Sequence, residues 1–137
     1  MFMILVCGSQ LSHGVKLDCE FEYWDYHLVG TFYSCGVTSL VNPHNNLTID
    51  GYSGVHLANM NDADVKAIWI KGIWIHDTNT KYIPTNLGSL FNLTALQISR
   101  SELVEINAKD FHGMQDLESI SFVHNKLSSV PLDAFAT

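Results

Sequence analysis

Seven histidines, at positions 13, 27, 44, 56, 76, 112 and 124, are the side chains best suited to hold a metal or move a proton near neutral pH. Their spacing supports neither use. No two form an HExxH pair or another close ligand pair, so each reads as a surface or partly buried residue and no metal is expected. Asn61-Asp-Ala-Asp64 has the acidic spacing that opens a calcium loop, but no glycine and no closing glutamate follow it. A helix N-cap ahead of Val65 is the better reading. Glu20, Glu22 and Asp25 are close enough in sequence to suggest acid–base work, which depends on a separation that sequence does not give. Carboxylates in such a hairpin are ordinarily solvated. There is no GxSxG nucleophile turn and no glycine-rich phosphate cradle. The chain is expected to be non-catalytic and to need no cofactor.

Binding is the remaining chemistry. Strands near Ile73–His76, Leu96–Ser99 and Ile120–Val123 would direct alternate side chains away from the core. Stacked about 4.8 Å apart, they would set Trp74, Gln97 and Ser121 in one column and Asp77, Arg100 and His124 in another. His76 and Ser99 would flank them. An exposed tryptophan among polar groups is what an interaction hot spot uses. Trp74 packed against Trp69 or the N-terminal region is the alternative, and Arg100, the only arginine, is expected to pair with Asp77.

These strands rest on an internal repeat. Leu93, Leu96, Ile98, Ser101, Leu103, Ile106 and Phe111 recur 24 positions later as Leu117, Ile120, Phe122, Asn125, Leu127, Val130 and Phe135. Alternation around Gln97 marks a short strand with one face inward. Asn125 is suited to bonding backbone groups at the bend after the strand; Ser101, in the equivalent place, does so only weakly. A weaker copy runs through Ile70, Ile73, Ile75 and Ile83. Ile-Trp-Ile occurs twice in 68–75, so Ile68 and Ile70 can enter the sheet in place of Ile73 and Ile75. One such unit cannot bury its own apolar edge, so copies must stack.

The three cysteines are at 7, 19 and 35. Cys7 lies in an apolar start (Met1-Phe-Met-Ile-Leu-Val-Cys7) that reads as a short secretory signal without a basic flank or an A-x-A site. Its removal leaves Cys19 and Cys35 as a pair; a cytosolic chain would keep both as free thiols. Aromatic and β-branched residues on both sides of Gly30 suggest two short strands between them. Asn46-Leu-Thr48 and Asn92-Leu-Thr94 are glycosylation sequons. The composition, 47% hydrophobic and 15% charged over 137 residues, excludes a disordered tail. No apolar run is long enough for a membrane span. A net charge of −7 with no basic patch argues against nucleic acid and anionic lipid.

The repeat over 93–135 resembles the extracellular leucine-rich repeat of about 24 residues, and the Cys19–Cys35 region resembles the N-terminal cap of secreted members, including insect (midge-type) proteins. That resemblance implies an α/β solenoid with a short parallel sheet on its concave face. With the apolar start read as a signal segment over 1–14, it implies a disulfide-bearing β cap over 15–66 and about three repeats over 67–137, the last incomplete. The sequence departs from the family in showing no recognisable C-terminal cap, which members usually carry. The resemblance also implies an extracellular, non-catalytic module that binds a protein or glycan ligand on the concave face. An uncapped last coil would expose Leu117, Ile120, Phe122 and Leu127. Self-association through that edge, or derivation from a longer receptor, is the alternative role.

Overall fold

The computed structural model describes residues 14–72, 80–128 and 130. Among the described residues seven strands run in order: β1 (Gly14–Asp18), β2 (Glu20–Tyr26), β3 (Gly30–Val37), β4 (Thr48–Ser53), β5 (Ala67–Lys71), β6 (Ala95–Ser99) and β7 (Ser119–Ser121). Five form one mixed sheet in the order β2-β3-β5-β6-β7, and β1 and β4 form a parallel pair. The aromatic-rich β2 and β3 pair antiparallel without interruption, from Glu20 opposite Gly36 to Tyr26 opposite Gly30. Leu28, at φ 67°, and Gly30, at φ 139°, turn the chain between them. From β3 onward every pairing in the sheet is parallel.

The α/β solenoid is not what this sequence forms. Among the described residues there is no α-helix, only 3-10 turns at Asp62–Asp64, Leu87–Ser89 and Ala108–Phe111. The molecule is a small domain of mixed β-sheet. The segments between strands are punctuated by Pro43, Pro84, Asn86 and Gly88, which do not propagate a helix. Asn61 and Asn107 do start turns, each with a reciprocal capping box to the aspartate three residues on. Each turn stops after three or four residues for want of an amphipathic continuation. An antiparallel hairpin at one margin also removes the uniform parallel stacking that a repeat array requires.

The sheet position next to β6 is taken by Ala67–Lys71. The expected strand at Ile73–His76 lies outside the described residues. Further along, Leu96 stands opposite Ile120, 24 positions away in sequence. The core lies on one face of the five-stranded sheet, where Phe21, Cys35, Ile68, Ile70, Leu96 and Ile98 meet Leu17 and Ile49 from the two-stranded sheet. Leu93, Leu103 and Ile106 close it from the connecting segments and are at most 1% exposed. Cys19 and Cys35 are joined by a disulfide inside this core.

Asn125 holds the bend after β7. Its Oδ1 accepts from the Leu103 N–H at 3.2 Å, and its Nδ2 donates to the carbonyls of Ile98 at 2.8 Å and Val123 at 3.2 Å. Ser101, the corresponding residue 24 positions earlier, is buried with its hydroxyl unpaired. The two sites therefore respond oppositely to truncation. Asn125→Ala is expected to destabilise the domain by about 1.5 kcal/mol, because it orphans backbone groups. Ser101→Ala is expected to be neutral or to stabilise by up to about 1 kcal/mol, because it removes an unpaired buried hydroxyl. Urea midpoints of the two variants check both signs.

Candidate functional site

The face of the five-stranded sheet opposite the core is set by alternation along each strand. Glu20, Glu22, Trp24 and Tyr26 of β2 point to this side, as do Phe32, Ser34 and Gly36 of β3. Ala67, Trp69 and Lys71 follow from β5, Ala95, Gln97 and Ser99 from β6, and Ser119 and Ser121 from β7. Hydrogen-bonding register aligns Gly36, Trp69, Gln97 and Ser121 in one row across four strands. Gly36 is what lets Trp69 lie flat: a β-carbon there would meet the indole ring. Trp69 packs at 5.1 Å between ring centroids against Trp24, which caps it from the hairpin. Its indole N–H is buried and unpaired. Tyr26 donates to Ser34 Oγ at 2.9 Å, and Ser34 donates to the Phe32 carbonyl. Burial pushes the Tyr26 hydroxyl well above the usual phenol range. The face thus has a small aromatic core of its own at the hairpin end and a polar row toward β7.

The residues expected to form a binding face divide into two groups. Trp74, His76 and Asp77 lie outside the described residues. Gln97, Ser99 and Ser121 share the outer face, Gln97 and Ser121 half-buried and Ser99 nearly covered. Arg100 and His124 are exposed at the ends of β6 and β7, both in the left-handed backbone region, with φ 52° and 56°. The Arg100 N–H donates to the Val123 carbonyl, so the two bends stack. The tryptophan in the Gln97–Ser121 row is Trp69, not Trp74. Trp24, Tyr26 and Phe32 were not anticipated at the site; the alternation in Glu20-Phe-Glu-Tyr-Trp-Asp-Tyr26 is the signal that places Trp24 and Tyr26 there. Asn46 and Asn92 are both exposed.

A second cluster joins β3, β4 and the segment after β4. His56 stacks on Phe21 at 3.9 Å. Its Nε2 lies 2.7 Å from Asp62 Oδ1 and its Nδ1 2.9 Å from the Tyr33 hydroxyl. The carboxylate accepts only, so Nε2 is the donor to Asp62, and Nδ1 is left to pair with the Tyr33 hydroxyl. Tyr33 Oη in turn accepts from the Leu57 N–H, and Tyr52 also donates to Asp62. The order Asp62–His56–Tyr33 has the form of a proton relay. Its terminal hydroxyl belongs to a side chain only 3% exposed and already bonded twice. What the geometry supplies is a clasp holding residues 54–62 to the sheet. Nothing in the spacing of Tyr33, His56 and Asp62 marks this cluster, because a loop brings them together.

The clasp makes stability depend on pH at both extremes. The Tyr52 and His56 bonds hold the Asp62 carboxyl below its ordinary 3.8. Its contribution is present above that value and is lost as pH falls through the lowered native pKa. The bond to Asp62 pushes Tyr52 up to about 12 from 10.0. Its contribution is full below pH 10 and is lost as pH rises toward 12. Tyr52→Phe should flatten both limbs of a plot of thermal midpoint against pH. The alkaline limb should persist in part through Tyr26. Both effects are small because Asp62 is 58% exposed and solvent screens its bonds, although Tyr52 itself is half-buried.

Among the described residues, no three His, Cys, Asp or Glu side chains gather as a metal site, and no helix is long and apolar enough to cross a membrane. No protein-family model, curated protein or solved structure matches the chain.

Proposed function

We propose that this domain is a non-catalytic binding module that takes a protein or glycan ligand on the outer face of its five-stranded sheet. The observation that carries this reading is the row Trp69, Gln97 and Ser121, continued by the exposed Arg100 and His124. Polar groups in fixed register on rigid strands, beside an aromatic patch, suit recognition by hydrogen bonds and stacking. The Cys19–Cys35 disulfide is compatible with an extracellular location. Secretion, with glycans on Asn46 and Asn92, completes the reading.

The test screens the purified domain against a glycan array and a displayed peptide library. Gln97→Ala and Arg100→Ala should each weaken a selected ligand by about tenfold or more, while leaving the unfolding midpoint unchanged. Ligands that bind these variants as tightly as the parent would overturn the proposal.

One observation favours a second reading, self-association. Beside the β7 edge lies an open apolar cleft of about 910 Å³ lined by Phe111, Met114, Leu117, Ile120, Phe122 and Val130. Under this reading, light scattering finds a dimer that Phe122→Glu dissociates. A monomer at all concentrations would refute it.

A further inference from the structure

The opposite margin of the sheet carries an edge of β2 that no described strand pairs with. Among the described residues, strand β2 pairs only with β3, across seven consecutive residue pairs with no bulge and no proline. Beyond that ladder, no backbone group of residues 20–25 bonds to another described residue. Alternate N–H and C=O groups along β2 therefore point outward in strand geometry.

The side chains of β2 indicate what would add there. Glu20, Glu22 and Asp25 supply three carboxylates, and there is no Lys or Arg anywhere between Cys19 and Cys35. The ion pairs among the described residues, His56–Asp62 and Lys126–Glu102, leave these three acids unmatched. Between them stand Tyr23, 57% exposed, and Trp24, 36% exposed, whose faces suit a cation. The tip of the hairpin adds Leu28, 92% exposed. A second copy of the chain fits this edge poorly: pairing β2 with β2 would bring two sets of three carboxylates within one strand spacing, about 4.8 Å, with no cation between them.

We propose that β2 docks a basic, extended peptide segment that adds to the sheet as a sixth strand. The backbone ladder provides attachment. Lys or Arg side chains of the segment pair with Glu20 and Glu22 on one face and Asp25 on the other, over Trp24 and Tyr23. Glu20, Glu22 and Trp24 share the outer face with the Gln97–Ser121 row, with Trp24 against Trp69, but the attachment is along the β2 edge, so its test does not rest on what that row binds.

The probe is a fluorescein-labelled ten-residue peptide of alternating Lys and Thr, titrated into the full chain by fluorescence anisotropy at low salt. Two controls accompany it. One has the same sequence with alternate residues N-methylated, which keeps the charge but removes donors along one edge. The other replaces Lys with Glu. Saturable binding is expected, weakened about tenfold by N-methylation and by Glu20→Gln/Glu22→Gln, lost with the Glu peptide, and unchanged by Gln97→Ala. Equal binding of the N-methylated peptide would mean bulk electrostatic attraction, and would overturn the proposal. So would absence of saturation, or indifference to the two glutamine substitutions. Hydrogen exchange gives an independent check: the bound peptide should slow amides of residues 20–26 and leave those of β7 unchanged.

Discussion

Removing the Cys19–Cys35 link by replacing both residues with alanine is expected to lower the unfolding free energy by about 3 kcal/mol, the loop-closure entropy of a 15-residue segment. The loop so closed is the β2–β3 hairpin, so the bond holds the antiparallel margin of the sheet to the first residues of the parallel part. Cys35 is fully buried and Cys19 is 5% exposed, both among Phe21, Tyr33 and Val37. A serine at 35 would add a second cost, because its hydroxyl would be sealed in an apolar site, at about 1–3 kcal/mol. Cys35→Ser should therefore be less stable than the double alanine variant, although only one sulfur is removed. Urea denaturation of the three proteins under non-reducing conditions measures both differences. If the double alanine variant unfolds within about 0.5 kcal/mol of the parent, the unfolded chain is already held together by other contacts and the entropic account fails.

The apolar spacing marked much of the core in advance. Leu93, Leu96, Ile98, Leu103 and Ile106 are all buried, and the 24-residue offset between Leu96 and Ile120 is the actual strand register. The two strands flanking Gly30 were also legible, since β-propensity and a turn glycine are local signals. The N-cap expected ahead of Val65 is present at Asn61, but it opens a three-residue 3-10 turn that ends at Val65 and not a helix. The layer architecture was not. A 24-residue period says how far apart strands lie, but not whether the intervening chain is helical; here it forms single 3-10 turns. Nor does local pattern choose between two copies of Ile-Trp-Ile. Ile68 and Ile70 enter the core, and Trp69 finds space over Gly36, 33 positions earlier. That choice is made by a contact between strands and leaves no trace in either segment. The His56 clasp is hidden for the same reason: its partners Tyr33, Tyr52 and Asp62 come from separate elements.

The pairing of Gly36 with Trp69 yields the second large effect. Gly36→Ala inserts a β-carbon where the six-membered part of the indole lies. The ring has little freedom to yield: Trp24 covers it, Ala67 and Ala95 pack in the same cluster, and only 6% of Trp69 is exposed. Either the indole rotates off the sheet and loses its burial, or β3 shifts and strains its parallel ladder to β5. Both routes cost about 1–3 kcal/mol, the range for overpacking a closed site. They leave different signatures. Rotation exposes the indole, so the tryptophan emission should shift to the red with the fold retained. Trp24→Ala should then relieve the variant, giving a double substitution less destabilised than the sum of the singles. A shift of the ladder predicts additive losses, together with faster amide exchange in both β3 and β5. A Gly36→Ala protein as stable as the parent would mean that Trp69 is not fixed over Gly36. The aromatic end of the proposed binding face would then lack the rigid support that recognition through Gln97 and Ser121 requires.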